Sequence, residues 1–174
     1  MPSYIAFLRA INVTNRFVKM DVLRQLFADL GLTNISTYIQ SGNIRFTSPQ
    51  TDTTTLETTI ETHLAQTLGF PVPTMLRTPT QLQNLTSPFP PAPATSTLYI
   101  SFLKEAPLSA NSAKLIAKNS DIDQFHLDGL HLFWQYNRHL GPSILTNNRV
   151  EKILKVAATR RNINTINALI GEKS

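Results

Sequence analysis

Apolar and polar positions change period along this chain, and each change marks an element. Tyr4-Ile-Ala-Phe-Leu-Arg9 is a strand-like run followed by a polar loop, Ala10 to Lys19. Met20, Leu23, Leu26, Phe27 and Leu30 then recur at helical spacing, with Asp21 in the first turn and Gly31 as the stop. Ser36 to Gln40 reads as a second strand that turns through Ser41-Gly42-Asn43 into a third, Ile44 to Phe46. The Thr-rich stretch that follows is poor in helix formers. Leu56, Ile60, Leu64 and Leu68 nevertheless keep a helical spacing before Gly69, which predicts a helix over 53–68. Pro73 to Arg77 adds a short strand, and the order β-α-β-β-α-β is that of a ferredoxin-like unit.

The stretch Ser87-Pro-Phe-Pro-Pro-Ala-Pro-Ala94 blocks both helix and ladder and marks a boundary. Beyond it, Thr97 to Leu103 reads as a strand and Ser109 to Lys118 as a helix. Gln124 to Leu127 and Leu130 to Tyr136 read as strands around Asp128-Gly129, and Thr146 to Lys155 as a further helix. This second part reads β-α-β-β-α, and element order alone, with no evident sequence repeat, suggests two related units. The expected fold is α+β, with two ferredoxin-like subdomains on antiparallel sheets. Their expected limits are 1–86 and 97–174, joined by a Pro-rich linker at 87–96.

Composition narrows the function classes. Among 174 residues there is no cysteine, which excludes disulfides, thiolate metal sites and thiol nucleophiles. The opening Met-Pro-Ser-Tyr-Ile lacks the basic and apolar regions of a signal peptide, and no apolar run approaches a membrane span. A cytoplasmic location is therefore expected, with no membrane partner. A formal charge of +5 favours anionic partners.

Candidate chemistry gathers in two places. In a ferredoxin-like unit the loop after the first strand and the turn between the second and third share one rim. Arg9 and Asn12 would there face Ser41, Gly42 and Asn43, with Arg45 nearby. Arginine presents a planar fork suited to carboxylate or phosphate, and Asn and Ser add donors and acceptors. The plainer reading is that Asn and Ser-Gly simply form turns. The second cluster is Thr159-Arg-Arg-Asn-Ile-Asn-Thr165, ahead of an apolar helical run ending at Gly171. Asn162 is a natural N-cap with Thr165 three residues on, and Arg160 and Arg161 flank a helix start able to hold an anion. A plain capped helix is the alternative.

A hairpin turning at Asp128-Gly129 would set His126 opposite His131 on the face away from Phe125, Leu132 and Trp134. Two imidazoles without a third ligand point to a surface pair, so no metal site is expected. No phosphate-binding loop, dinucleotide glycine fingerprint, HExxH or nucleophile elbow occurs, and no cofactor is expected. The favoured function is a binding module for an anionic ligand, whether phosphate-bearing small molecule, nucleotide or nucleic acid. Two alternatives stay open. One is an enzyme on a small anionic substrate, although no acid–base pair or activated nucleophile is visible. The other is a protein-interaction domain using a sheet edge or apolar surface.

The blocks Tyr4 to Val13, Lys19 to Gly31 and Thr37-Tyr-Ile-Gln-Ser-Gly-Asn43 closely resemble the opening of a bacterial family, domain of unknown function 1697. Leu145-Thr-Asn, Val150-Glu-Lys, Ala158-Thr159, Arg161-Asn162 and Thr165 extend the resemblance over nearly the whole chain. It implies an α+β fold with ferredoxin-like units and brings no activity. Arg9, Asn12, Ser41, Gly42, Asn43, Arg161, Asn162 and Thr165 keep the family pattern. Ala10 stands where relatives have Gly, Thr14-Asn15 where they have Gly-Gly, Ile144 where they have Lys and Ile163 where they have Trp.

Overall fold

Alternation along the first strand puts Tyr4, Ala6 and Leu8 on one face and Ile5 and Phe7 on the other, and all five are buried. A strand buried on both faces belongs in the middle of a sheet. In the computed structural model, which describes residues 1–171 other than Thr14, Gln40, Ser41 and Ala92, this is where it lies. The chain divides into two units, Met1–Asn84 and Leu85–Ser174. The first runs β1 (Ser3–Leu8), α1 (Met20–Ala28), β2 (Thr33–Tyr38), β3 (Asn43–Thr47), α2 (Thr53–Leu68), β4 (Thr74–Arg77) and a short α3 (Pro79–Gln83). Its antiparallel sheet has the order β2-β3-β1-β4, the ferredoxin-like arrangement.

Leu23, Leu26 and Phe27 of α1 and Leu56, Ile60 and Leu64 of α2 cover the face carrying Tyr4, Ala6, Leu8, Ile44 and Phe46. Each buried Leu, Ile or Phe side chain contributes about 1.5–3 kcal/mol. That burial overrides the weak helix propensity of the threonines in α2. Local chemistry helps at its start, where the Asp52 carboxylate accepts the N–H groups of Thr54 and Thr55 at 3.0 and 3.4 Å. The Thr55 hydroxyl and the two amides hold the Asp52 carboxyl below its ordinary range.

The second unit follows the same plan with β5 (Ser96–Leu103), α4 (Ser109–Ile116), β6 (Asp123–Asp128), β7 (His131–Asn137), α5 (Asn147–Leu154), β8 (Ala158–Asn162) and α6 (Ile163–Gly171). Its antiparallel sheet has the order β6-β7-β5-β8. Two expectations are corrected here. A last strand, β8, completes the unit and holds Arg160 and Arg161, directly ahead of the expected helix start, where α6 begins at Ile163. The hairpin pairs Asp128 with His131, so its two-residue turn is Gly129-Leu130. Gly129 has φ +57° and Leu130 no positive φ, as a turn with glycine in its first central position requires. His126 consequently faces Phe133, and the His126–His131 pair does not form.

The shared plan extends to individual residues. The N–H of Leu8 donates to Gly42 O at 2.8 Å, and that of Leu103 donates to Leu130 O at 2.9 Å. Arg9 N–H donates to Pro73 O and Lys104 N–H to Ala157 O, both at 2.9 Å. Ile5 pairs with Arg77 as Ile100 pairs with Arg161. Aligned on these contacts, Tyr4-Ile-Ala-Phe-Leu-Arg9 matches Tyr99-Ile-Ser-Phe-Leu-Lys104. A sequence repeat is therefore present along β1 and β5, with Arg77 and Arg161 at equivalent places beside them.

Candidate functional site

At one end of the first sheet, backbone contacts bring three loops together. Leu8 meets Gly42 and Arg9 meets Pro73, so residues 10–19, the turn around Gly42 and the segment after α2 share one rim. A Cβ on Gly42 would stand 3.0 Å from Leu8 Cβ and 3.3 Å from Leu8 O, on a backbone with φ +77°. Only glycine lets the turn close this tightly on β1.

The two asparagines expected at this rim build it. Asn12, with φ +56°, accepts the Val18 N–H on Oδ1 at 2.7 Å while its own N–H donates to Arg16 O at 2.9 Å. Asn43 is buried, and its Nδ2 donates to Tyr38 O at 3.1 Å, pinning the β2 and β3 ends. Arg9 and Arg45 are half-buried. Ser41 lies outside the described residues. Among the described residues, three other than glycine near the rim hold the left-handed region: Ala10 at φ +59°, Asn12, and Ile39 at φ +47°. For a β-branched residue such as Ile39 this is a rare conformation, and such strain gathers at functional sites.

Two cations that the motif reading passed over lie in the same loop. The Arg16 guanidinium stands 5.0 Å from the centre of the Phe70 ring, tying the loop to the segment after α2. Lys19 is exposed at the start of α1. No acid occurs in residues 1–20, whereas Arg9, Arg16 and Lys19 all do. That count was visible in the sequence without any structure. A carboxylate that reaches this end of the sheet, Glu61, accepts the Thr74 N–H at 2.8 Å. Val13, Phe17 and Ile39 are exposed apolar side chains on the rim, Phe17 the most so at 75%.

The second cluster is held differently. Arg161 is buried on β8, and its Nη1 donates to Thr159 Oγ1 at 2.6 Å and to Arg160 O at 3.0 Å. Burial draws its guanidinium down to about 10, so it stays charged at neutral pH. Arg77, its counterpart in the first unit, is likewise drawn to about 10 by burial, against a smaller opposing effect of Glu57. Arg160 lies on the other face of β8, 4.2 Å over the Tyr99 ring and 4.6 Å over the Trp134 ring. Burial lowers its pKa, while Tyr99 and Asp123 oppose the shift. Asp123 accepts Trp134 Nε1–H at 2.8 Å and the Ser143 hydroxyl at 2.7 Å. Asn162 Oδ1 accepts the Asn164 N–H at 2.9 Å and so caps α6, with Thr165 in its first turn. Among the described residues, no three His, Asp or Glu side chains gather as metal ligands, and no helix is long and apolar enough to cross a membrane.

A family model described as "Protein of unknown function (DUF1697)" matches residues 1–133. The tail motifs from Leu145 onward lie beyond the matched stretch. None of the curated proteins matches the chain. Among solved structures it is similar to the conserved bacterial protein SP0830 from Streptococcus pneumoniae. That likeness has 23% sequence identity, a TM-score of 0.67 and 97% of each chain covered. At this identity it shows the fold.

Proposed function

Because the chain belongs to the DUF1697 family, whose description carries no activity, we propose from the site itself that it is a binding module for a phosphate-bearing ligand, nucleotide or nucleic acid. The observation that carries this is the rim loop, where Arg9, Arg16 and Lys19 fall in a stretch with no acid. Asn12 and Gly42 hold that loop, and Arg16 is anchored on Phe70. Cations of one sign on a fixed rim concentrate anions and steer them inward. Arginine forks add directed pairs of hydrogen bonds to phosphate oxygens.

The roles differ across the site. Arg9, Arg16 and Lys19 supply charge, Gly42 and Asn43 set the turn, and Asn12 holds the loop. Ser41 is a further proposed ligand residue. Arg161, Asn162 and Thr165 form a separate proposed element in the second unit, with Asn162 capping α6. The test is titration of the intact protein with ATP and with a labelled oligothymidylate at low salt, wild type against Arg16→Ala and Lys19→Ala. Weaker binding in both variants is expected. Binding of equal strength in all three proteins rejects the rim as the site.

A second reading has its own observation. Exposed Val13, Phe17 and Ile39 on the same rim suit a protein partner. A stoichiometric complex that survives high salt and is lost in Phe17→Ser favours that reading, while dissolution of the complex by salt returns the case to phosphate.

A further inference from the structure

The second unit has a cavity of about 390 Å³ that none of the clusters above touches. It lies beside the packed pair α4 and α5 and is lined by Lys118, Ile144, Leu145, Arg149, Lys152 and Ile153. Arg149, Lys152 and Ile153 are spaced three and four residues apart on α5 and so share one face of it. Lys118 follows the end of α4, and Ile144 and Leu145 come from the segment that leads into α5.

The lining has two chemistries. Three side chains are cationic and none is a carboxylate, and none of these cations is in an ion pair among the described residues. The α5 carboxylate is engaged elsewhere, since Glu151 accepts the Ala158 N–H at 2.9 Å. The rest of the lining is aliphatic, with Leu145 buried and Ile144 69% exposed. Arg149 Nη1 donates to Ile144 O at 2.8 Å, which ties this apolar segment to the cationic helix face. A volume in the range of small-molecule sites, an aliphatic wall and a few convergent charges describe a pocket for a ligand with matching halves.

We propose that this pocket binds a small amphipathic anion, with a phosphate or carboxylate head on Lys118, Arg149 and Lys152 and an aliphatic body against Ile144, Leu145 and Ile153. The head replaces its hydration with charge-assisted hydrogen bonds, and the body removes Ile144 from water. The proposal rests on residues of the second unit alone.

The probe is octyl phosphate, compared with octanoate, octanol and inorganic phosphate and followed by amide chemical shifts of the full chain. The expected result is binding of octyl phosphate and octanoate, with shifts centred on 118 and 144–153 and octanol and inorganic phosphate much weaker. Lys118→Gln and Lys152→Gln change exposed side chains with no structural hydrogen bond. Each is expected to weaken octyl phosphate about tenfold. Ile144→Asn is expected to weaken octyl phosphate while leaving inorganic phosphate unchanged. Lys114→Gln, on α4 outside the lining, serves as the control and should bind as wild type. Equal binding of octanol, equal binding of inorganic phosphate, or shifts located away from these residues overturns the proposal. So does association with phosphatidylglycerol vesicles without binding of monomeric octyl phosphate.

Discussion

Two backbone positions at the rim put opposite demands on their side chains. Ala10 occupies φ +59°, where a Cβ costs about 1–2 kcal/mol and glycine costs nothing sterically. Glycine also loses more chain entropy on folding, which returns part of the gain. Ala10→Gly is therefore expected to stabilise the protein by about 0.5–1 kcal/mol, read as a rise in the denaturation midpoint. Gly42 is the reverse case. Gly42→Ala meets both a positive φ and Leu8 Cβ at 3.0 Å, and a loss of about 2 kcal/mol or more is expected from the same measurement. An unchanged midpoint in Gly42→Ala contradicts the close packing of the turn on β1. Ala10 is in this sense a local strain, with the loop held around it by Asn12.

Elements repeat a device as well as a fold. β4 and β8 each pair with one neighbour only, so each has an open edge. Carboxylates from the preceding helix cover these edges: Glu61 and Glu57 accept the N–H groups of Thr74 and Leu76 at 2.8 Å, and Glu151 accepts that of Ala158 at 2.9 Å. Removing such an acceptor leaves a donor poorly satisfied and the edge open to pairing. Glu151→Ala and Glu61→Ala are each expected to cost about 1–3 kcal/mol in chemical denaturation. A neutral outcome in both removes the covering role.

The cap of α2 adds a pH dependence. Asp52 is depressed in the folded chain, so its contribution is fully present above the ordinary value of 3.8 and is lost as pH falls through its lower folded value. Acid unfolding that is steeper in wild type than in Asp52→Asn is the expected signature, and identical acid profiles contradict it.

Legibility in the sequence followed physical strength. The helix over 53–68 was readable because four aliphatic positions on one face outweigh many weak threonines. β8 was not, because its Arg-Arg-Asn looks like a solvated cap. Arg161 is buried there by bonds to its own strand, and Arg160 by stacking on Tyr99 and Trp134. The hairpin register was misread because Asp-Gly is a strong turn signal. Packing of Phe125 on Trp134, with ring centroids 5.1 Å apart, and the Trp134 bond to Asp123 accompany the other register. The echo of the first strand in Tyr99 to Lys104 was in plain view and became evident only once equivalent contacts aligned the two.

For the whole chain, a net charge of +5 draws anions without choosing among them, so the distribution of charge has to carry the specificity. The proposed rim concentrates three of the basic residues in one loop, and the proposed role predicts a particular response to salt. Three cations meeting single-stranded phosphates give a slope of log affinity against log salt of about −2. The most direct test is fluorescence anisotropy of a labelled oligothymidylate with the intact protein across a salt series, for wild type and for the Arg16→Ala, Lys19→Ala double variant. The account predicts measurable binding at low salt, a slope near that value, and a slope reduced by more than half in the variant. No binding at low salt, or a slope that the two substitutions leave unchanged, contradicts it.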